Sequence, residues 1–180
     1  RNYQVILGDT AFWQSMGVTM FITVVTVLLE LIIGFGFALV RRGTIKKLRG
    51  FARTAILVPY GIITVVSAFA FFYAFDINSG GYVNNWLSWV PGFDENLNWF
   101  ASQSTSLTVI ILSEVWKTTP FISLLLLSGL AQVPGDLEEA AKVDGATAWE
   151  VLRRVILPNM KAAIMVAVLF RTLEAFRIFD

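Results

Sequence analysis

Apolar runs long enough to cross a bilayer constrain this chain more than any other feature. A hydrocarbon core about 30 Å thick is crossed by roughly 20 residues of helix. Met16 to Val40 holds a single charge, Glu30, and Thr54 to Phe75 holds none. Thr105 to Gln132 carries only Glu114 and Lys117, and Met160 to Asp180, after Lys161 at its edge, stays apolar until Arg171. These runs predict an all-α polytopic membrane protein with spans near 16–40, 54–75, 105–132 and 160–180. Composition agrees, because 56% hydrophobic residues, 15% charged residues and a mean hydropathy of +0.68 leave too little polar surface to cover a soluble core.

Lys and Arg in short loops mark the cytoplasmic side. The loop after the first span carries Arg41, Arg42, Lys46, Lys47, Arg49 and Arg53, whereas residues 76–103 carry no Lys or Arg. Positive charge returns in the third loop with Lys142, Arg153, Arg154 and Lys161. The pattern therefore places the amino end outside and the 133–161 loop inside. An outside start with no apolar signal segment in Arg1 to Ser15 leads us to expect the middle of a longer protein, with at least one more span at each end.

Net charge of +1 creates no global field to recruit nucleic acid. The absence of His and Cys excludes disulfides, Cys/His zinc sites, thiol nucleophiles and His-based triads, and leaves carboxylate chemistry open. A proton-coupled secondary transporter using Glu30 or Glu114 is therefore one alternative. A membrane-embedded hydrolase is another, disfavoured by the lack of His, Cys and a G-x-S-x-G elbow.

A charge at mid-bilayer costs about 2.5 to 3.5 kcal/mol on insertion scales and needs a compensating role. Glu114 and Lys117 share a helix face and are expected to neutralise each other, and Arg171, Glu174 and Arg177 alternate in sign along another face. Both faces look toward protein or a water-filled cavity, or else pair simply to hold helices together. Glu114, Trp116 and Glu174 are candidate substrate-pathway residues, since carboxylates and aromatic rings bind hydroxylated ligands; they serve equally well as packing groups. Pro59 is expected to kink the second span, and Gly34 and Gly36 either admit a close helix or merely sit in one. The outer loop, rich in Gly, Asn and Trp, predicts one or two short interfacial helices with an aromatic belt.

The inner loop is the richest in local signals. Pro134-Gly135 ends the third span, and Asp136 with Glu139 predicts a capping box for a helix over 137–143. Its face of Leu137, Ala140, Ala141 and Asp144 is small-sided. Gly145 supplies the left-handed turn, and Thr147 with Glu150 predicts a second capping box for a helix running to Leu157, stopped by Pro158. That helix sets Trp149, Leu152, Val155 and Ile156 on one side and pairs Glu150 with Arg154. On spacing alone, a knob for a partner's groove and a plain amphipathic loop under the membrane are equally good readings.

Glu139-Ala140-Ala141, then Gly145, then Val155-Ile156-Leu157-Pro158 resembles the EAA loop of ABC importer permeases, with Val155 where isoleucine is common. Asp144-Gly145-Ala146, Trp116-Lys117-Thr118-Thr119-Pro120-Phe121 and 170–180 resemble the carbohydrate-uptake branch, so the likeness covers nearly the whole chain. It implies a type I importer transmembrane domain, half of a pathway shared with a second permease. It further implies two ATP-binding subunits gripping the 136–158 loop through Glu139, Ala140, Ala141, Asp144, Gly145 and Pro158. An extracellular solute-binding protein would deliver a sugar, a disaccharide such as trehalose. No G-x-x-x-x-G-K-[ST] pattern is present, so ATP and Mg would belong to the partner subunits and this chain would bind no cofactor.

Overall fold

The structure, a computed structural model, describes residues 2–43 and 57–176. Every regular element among them is helical. A short helix α1 (Asn2–Gly8) leads into α2 (Thr10–Gly43), whose start is capped by Asp9 accepting from the Ala11 N–H at 2.9 Å. The later helices are α3 (Thr64–Phe75), α4 (Val83–Leu87), α5 (Gln103–Ala131), α6 (Gly135–Val143), α7 (Ala148–Asn159) and α8 (Lys161–Ala175). α2 and α5 are each long and apolar enough to cross a membrane, and α7 with α8 forms a further candidate bent by 68°.

The second expected span is shorter than its apolar run. α3 has 12 residues, or about 18 Å of helix. Pro59 does not kink a continuous helix; it opens a single 3-10 turn, Pro59–Gly61, and Ile62 and Ile63 follow in extended conformation. The Ile62 N–H on Pro59 O closes that turn, and the two extended residues separate it from α3, which starts at Thr64. Residues 54–56 of that run and all the basic residues from Lys46 to Arg53 lie outside the described residues, as do Arg177 and the last three positions.

α2 and α5 pack along their length, and α8 lies against both. Two glycines set how close they come. A Cβ on Gly34 of α2 would meet Ile122 Cγ2 at 3.1 Å and the Ser123 nitrogen at 3.2 Å, whereas one on Gly36 would meet nothing within 4 Å. A Cβ on Gly129 of α5 would stand 2.3 Å from Ala163 Cβ of α8, which is inside contact distance. The buried core gathers here: Ala38 from α2; Ile122, Leu126 and Leu130 from α5; Val151 and Ile156 from α7; Met160 at the bend; and Ala167 from α8. Outward faces of α2, α3 and α8 carry exposed Ile32, Val65, Phe69, Leu169 and Leu173, as helices bordering lipid or another membrane subunit require.

The outer segment contains one short helix, α4, and a 3-10 turn at Ile77–Ser79. Its tryptophans divide by role. Trp99 donates to Asn84 Oδ1 at 2.6 Å and packs edge-on to Phe75, closing the segment onto α3, while Trp86 and Trp89 stand exposed. The exposed pair has the placement an aromatic belt needs.

The Gly129 contact yields a direct test. Gly129→Leu should destabilise the purified protein by about 1–3 kcal/mol or more, the usual cost of overpacking. Unfolding in detergent, with Gly36→Leu as the matched control, measures this; equal stability of the two variants would contradict the packing described.

Candidate functional site

Two regions concentrate the chemistry. The first is a cluster of charges where α2, α5 and α8 meet. Glu30 and Arg171 are the largest polar side chains buried in the described structure. The Arg171 guanidinium grips Glu30 side-on: Nε donates to Glu30 Oε2, and Nη2 donates to Glu30 Oε1 at 2.9 Å. Nη2 also donates to Glu114 Oε1 at 2.8 Å, and Nη1 lies 3.8 Å from Glu174 Oε2. Thr118, one turn after Glu114, donates its hydroxyl to Glu30 Oε1 at 2.5 Å. A planar guanidinium can serve several carboxylates at fixed angles, which an ammonium cannot do as well.

The expected Glu114–Lys117 pair is not the one formed. Glu114 turns to Arg171 of α8, and Lys117 Nζ donates to Thr64 Oγ1 of α3. Three-residue spacing made the local pair available, but a buried guanidinium needs counter-charge more than a half-buried ammonium does. The Arg171–Glu174 neighbours do approach each other, as their spacing allows.

Glu114 faces a cavity of about 220 Å³ between α3 and α5. Its lining combines Ser113, Lys117, Thr64 and Ser67 with Phe71, Phe72 and Phe100. Ser67 is buried, and its hydroxyl has no hydrogen-bond partner. Trp116 is not part of this group. It is 43% exposed and lines a separate cavity of about 470 Å³ with Ile33, Phe37, Pro59, Thr119 and Pro120. Glu174 has a side chain 46% exposed, so it borders the cluster rather than completing it.

The second region is the loop from α6 to α8. Helix α6 starts at Gly135 with Pro134 at the cap position and no side-chain cap bond, so the expected Asp136–Glu139 box does not form. Beginning earlier puts Asp136 inside the first turn, where its charge still suits the positive end of the helix. Its far end closes with the Ala146 N–H on Ala141 O and the Gly145 N–H on Lys142 O, around Gly145 at φ +82°. This is a Schellman turn, and the left-handed position is one that glycine occupies without a Cβ penalty.

Thr147 then caps α7 with the reciprocal box expected of it. The Glu150 N–H reaches Thr147 Oγ1 at 3.4 Å, and the Thr147 N–H reaches Glu150 Oε2 at 3.0 Å. That backbone bond, then the Thr147 hydroxyl and then Arg154, hold the Glu150 carboxyl below its ordinary range. The cap is therefore intact at neutral pH and loosens only as pH falls below the ordinary carboxylate value.

Pro158 does not stop α7. Residues Leu152–Ile156 widen into a π turn, with the Leu157 N–H on Leu152 O, and the helix runs through Pro158 to Asn159 before bending at Met160. The inserted residue re-registers the carbonyls ahead of a proline that cannot donate, and bulges of this kind mark bends. The widened turn also changes the buried side: Val151 and Ile156 are buried, with Leu152 and Val155 packed beside them, while Trp149 is exposed. On α6, Glu139, Ala140 and Asp144 are exposed along with Leu137 and Val143, whereas Ala141 turns inward and packs with Ala146 against the core.

A family model for the binding-protein-dependent transport system inner membrane component matches residues 30–179, spanning α2 to α8. The chain belongs to that family. Its members are transport permease subunits, not enzymes. The chain is 49% identical over 179 residues, 99% of its length, to the trehalose transport system permease protein SugA of Mycobacterium tuberculosis. It is 38% identical over 180 residues to the trehalose/maltose transport system permease protein MalF of Thermococcus litoralis, and spans 56% of the first relative and 60% of the second. A solved bacterial ABC transporter for import of the acidic polysaccharide alginate superposes with a TM-score of 0.81 at 27% identity, covering 96% of this chain and 60% of that one. The all-α permease architecture is thus shared along nearly the whole chain.

The sequence located Glu30, Glu114 and Arg171 but not their union, because Glu30 and Arg171 are 141 positions apart. Ser67 was missed, and Thr118 was read only as part of a motif, not as a partner of the charges; its spacing to Glu114, one helical turn, was the available signal. Glu30→Gln, by leaving the guanidinium without its fork, should cost about 3–5 kcal/mol of stability. The double replacement Glu30→Met with Arg171→Met should cost clearly less, since it removes both buried charges. Unfolding of the purified variants in detergent ranks them, and a double variant less stable than Glu30→Gln would contradict the pairing.

Proposed function

We propose that this chain belongs to one permease subunit of an ATP-driven sugar importer, forming half of a translocation pathway with a second permease. Two ATP-binding subunits supply hydrolysis, with ATP and Mg bound there, and an extracellular solute-binding protein delivers the sugar. Cargo is a disaccharide such as trehalose, a reading supported by the printed function of the M. tuberculosis and T. litoralis relatives. Four spans cross the plasma membrane with the amino end outside and the 136–158 loop in the cytoplasm, as the distribution of Lys and Arg favours.

The observation that carries this reading is the continuity between loop and spans. Val151 and Ile156 of the loop, and Met160 at the bend beyond it, are buried in the same core as Ile122, Leu126, Leu130 and Ala167 of the membrane helices. Close-packed groups transmit displacement rather than absorb it. A push on the exposed face of Glu139, Ala140 and Asp144 is therefore delivered to α5 and α8. Gly145 and Pro158 keep α6 and α7 at the angle that presents this face, and Ala141 anchors it inward. On the substrate side, the Glu114 cavity offers carboxylate, ammonium, hydroxyl and aromatic groups, the mixture that hydroxylated rings need. Trp116 and Glu174 border the route from the neighbouring cavity and from the charge cluster.

Two substitutions test the loop. Gly145→Val forces a β-branched residue into a left-handed conformation at a cost of about 1–2 kcal/mol and tilts α6 against α7. Sugar-stimulated ATPase activity of the reconstituted complex should then fall severalfold, and full activity would contradict the assignment. Glu139→Lys reverses a charge on the exposed face and should weaken retention of the ATP-binding subunit in a pull-down. Unchanged retention would count against this face as the docking surface.

A further inference from the structure

The three carboxylates around Arg171 differ in what it takes to detach them. Glu30 has no exposed surface, receives two N–H bonds from the guanidinium and one hydroxyl bond from Thr118. Separating it from Arg171 would leave opposite charges buried apart, the most costly rearrangement available. Glu114 is held by one hydrogen bond, and its side chain is 19% exposed. If that bond opens, Arg171 keeps its counter-ion and Glu114 has the polar side of the cavity to turn to.

Place in the fold gives this difference a consequence. Glu30 ties α8 to α2, whereas Glu114 ties α8 to α5. The Glu114 cavity lies between α3 and α5, and it holds a second polar group with unmet hydrogen-bonding capacity, the buried Ser67 hydroxyl. A hydroxylated ligand entering it meets both. At its other end α8 bends by 68° straight into α7 and the cytoplasmic loop. A contact made in the cavity and a contact made on the loop therefore share one helix.

We propose that Glu114 is a ligand-responsive clasp: a polyhydroxylated ligand in the α3–α5 cavity takes over its carboxylate and loosens the Arg171 end of α8 from α5, while the Glu30–Arg171 fork and the Gly129–Ala163 contact hold the rest of α8 in its packing. This rests on the sugar-importer reading above and assigns to one of its cavity residues the signal from substrate to loop. Glu114 is the releasable arm, Glu30 the permanent one. Only a contact whose strength differs between the bound and empty states can shift such an equilibrium, and Glu114 alone in the cluster touches both cavity and guanidinium.

The test uses the assembled importer, with the full-length permease and its partner subunits in lipid nanodiscs. ATP hydrolysis is measured without sugar and with binding protein loaded with trehalose. Glu114→Gln removes the charge that holds Arg171 and keeps hydrogen-bonding groups in the cavity. It should raise sugar-free hydrolysis at least about fivefold, the low end of coupling between linked sites, and shrink the further stimulation by sugar. Glu114→Asp keeps the charge but withdraws the oxygen from Arg171, and should raise sugar-free hydrolysis in the same direction; it decides the matter if the glutamine variant does not assemble. Sugar-free hydrolysis unchanged in the assembled variants, with only stimulation lost, would overturn the clasp and leave Glu114 a plain ligand contact. If trehalose-loaded binding protein fails to stimulate the unsubstituted complex, the cargo assignment falls, while the sugar-free comparison still decides the clasp.

Discussion

A guanidinium buried among apolar helices must find its counter-charge on a neighbour, and in this chain that requirement organises the membrane domain. Arg171 cannot be satisfied from its own helix, since Glu174 is 3.8 Å away and half in the open. It reaches α2 for Glu30 and α5 for Glu114. The mutual packing of α2, α5 and α8 is thereby fixed in rotation and depth, because a bidentate fork tolerates little sliding. Apolar packing alone would not do this among lipid-facing helices, where lipid tails are as good a solvent for leucine as another helix is.

Below the charges the constraint changes from electrostatic to steric. Gly129 against Ala163 and Gly34 against Ile122 bring backbones close, and the space between is filled by a core that includes residues of the loop between α6 and α8. The loop is thus continuous with the spans rather than hung from them. Its own shape is held by short-range devices: a glycine in the left-handed region, a reciprocal Thr147–Glu150 cap and a π turn that lets α7 run through Pro158. Each is a local bond pattern, and together they fix the angle between α6 and α7 and so the shape of the exposed face.

What the sequence disclosed follows this division between local and distant. The runs behind α2 and α5, the left-handed Gly145 and the Thr147 cap were legible because periodicity and capping depend on residues within a few positions of one another. Asp136 misled because a helix can start on Pro134-Gly135 without any side-chain cap, and Pro158 misled because a π turn upstream removes the conflict a proline normally creates. Glu30 was recognisable as a charge in need of a partner, yet nothing in linear spacing points from it to Arg171. Gly129 was passed over for the same reason, as the residue that demands its smallness lies on another helix. Trp149 was set on the wrong side of α7 because a 3.6-residue period does not hold through a π turn.

The charge cluster also bears on the choice between energy sources. A proton carrier needs a carboxylate that exchanges protons with both sides, whereas Glu30 is sealed from solvent and forked to a permanent cation. That geometry suits Glu30 to a fixed structural charge rather than to a proton carrier. Uptake of labelled trehalose into proteoliposomes bearing the complete complex, with ATP enclosed on the cytoplasmic side and a protonophore added, tests this most directly. ATP-dependent uptake that persists undiminished with the protonophore is the predicted result, and uptake that needs no ATP but collapses with the proton gradient would contradict the account.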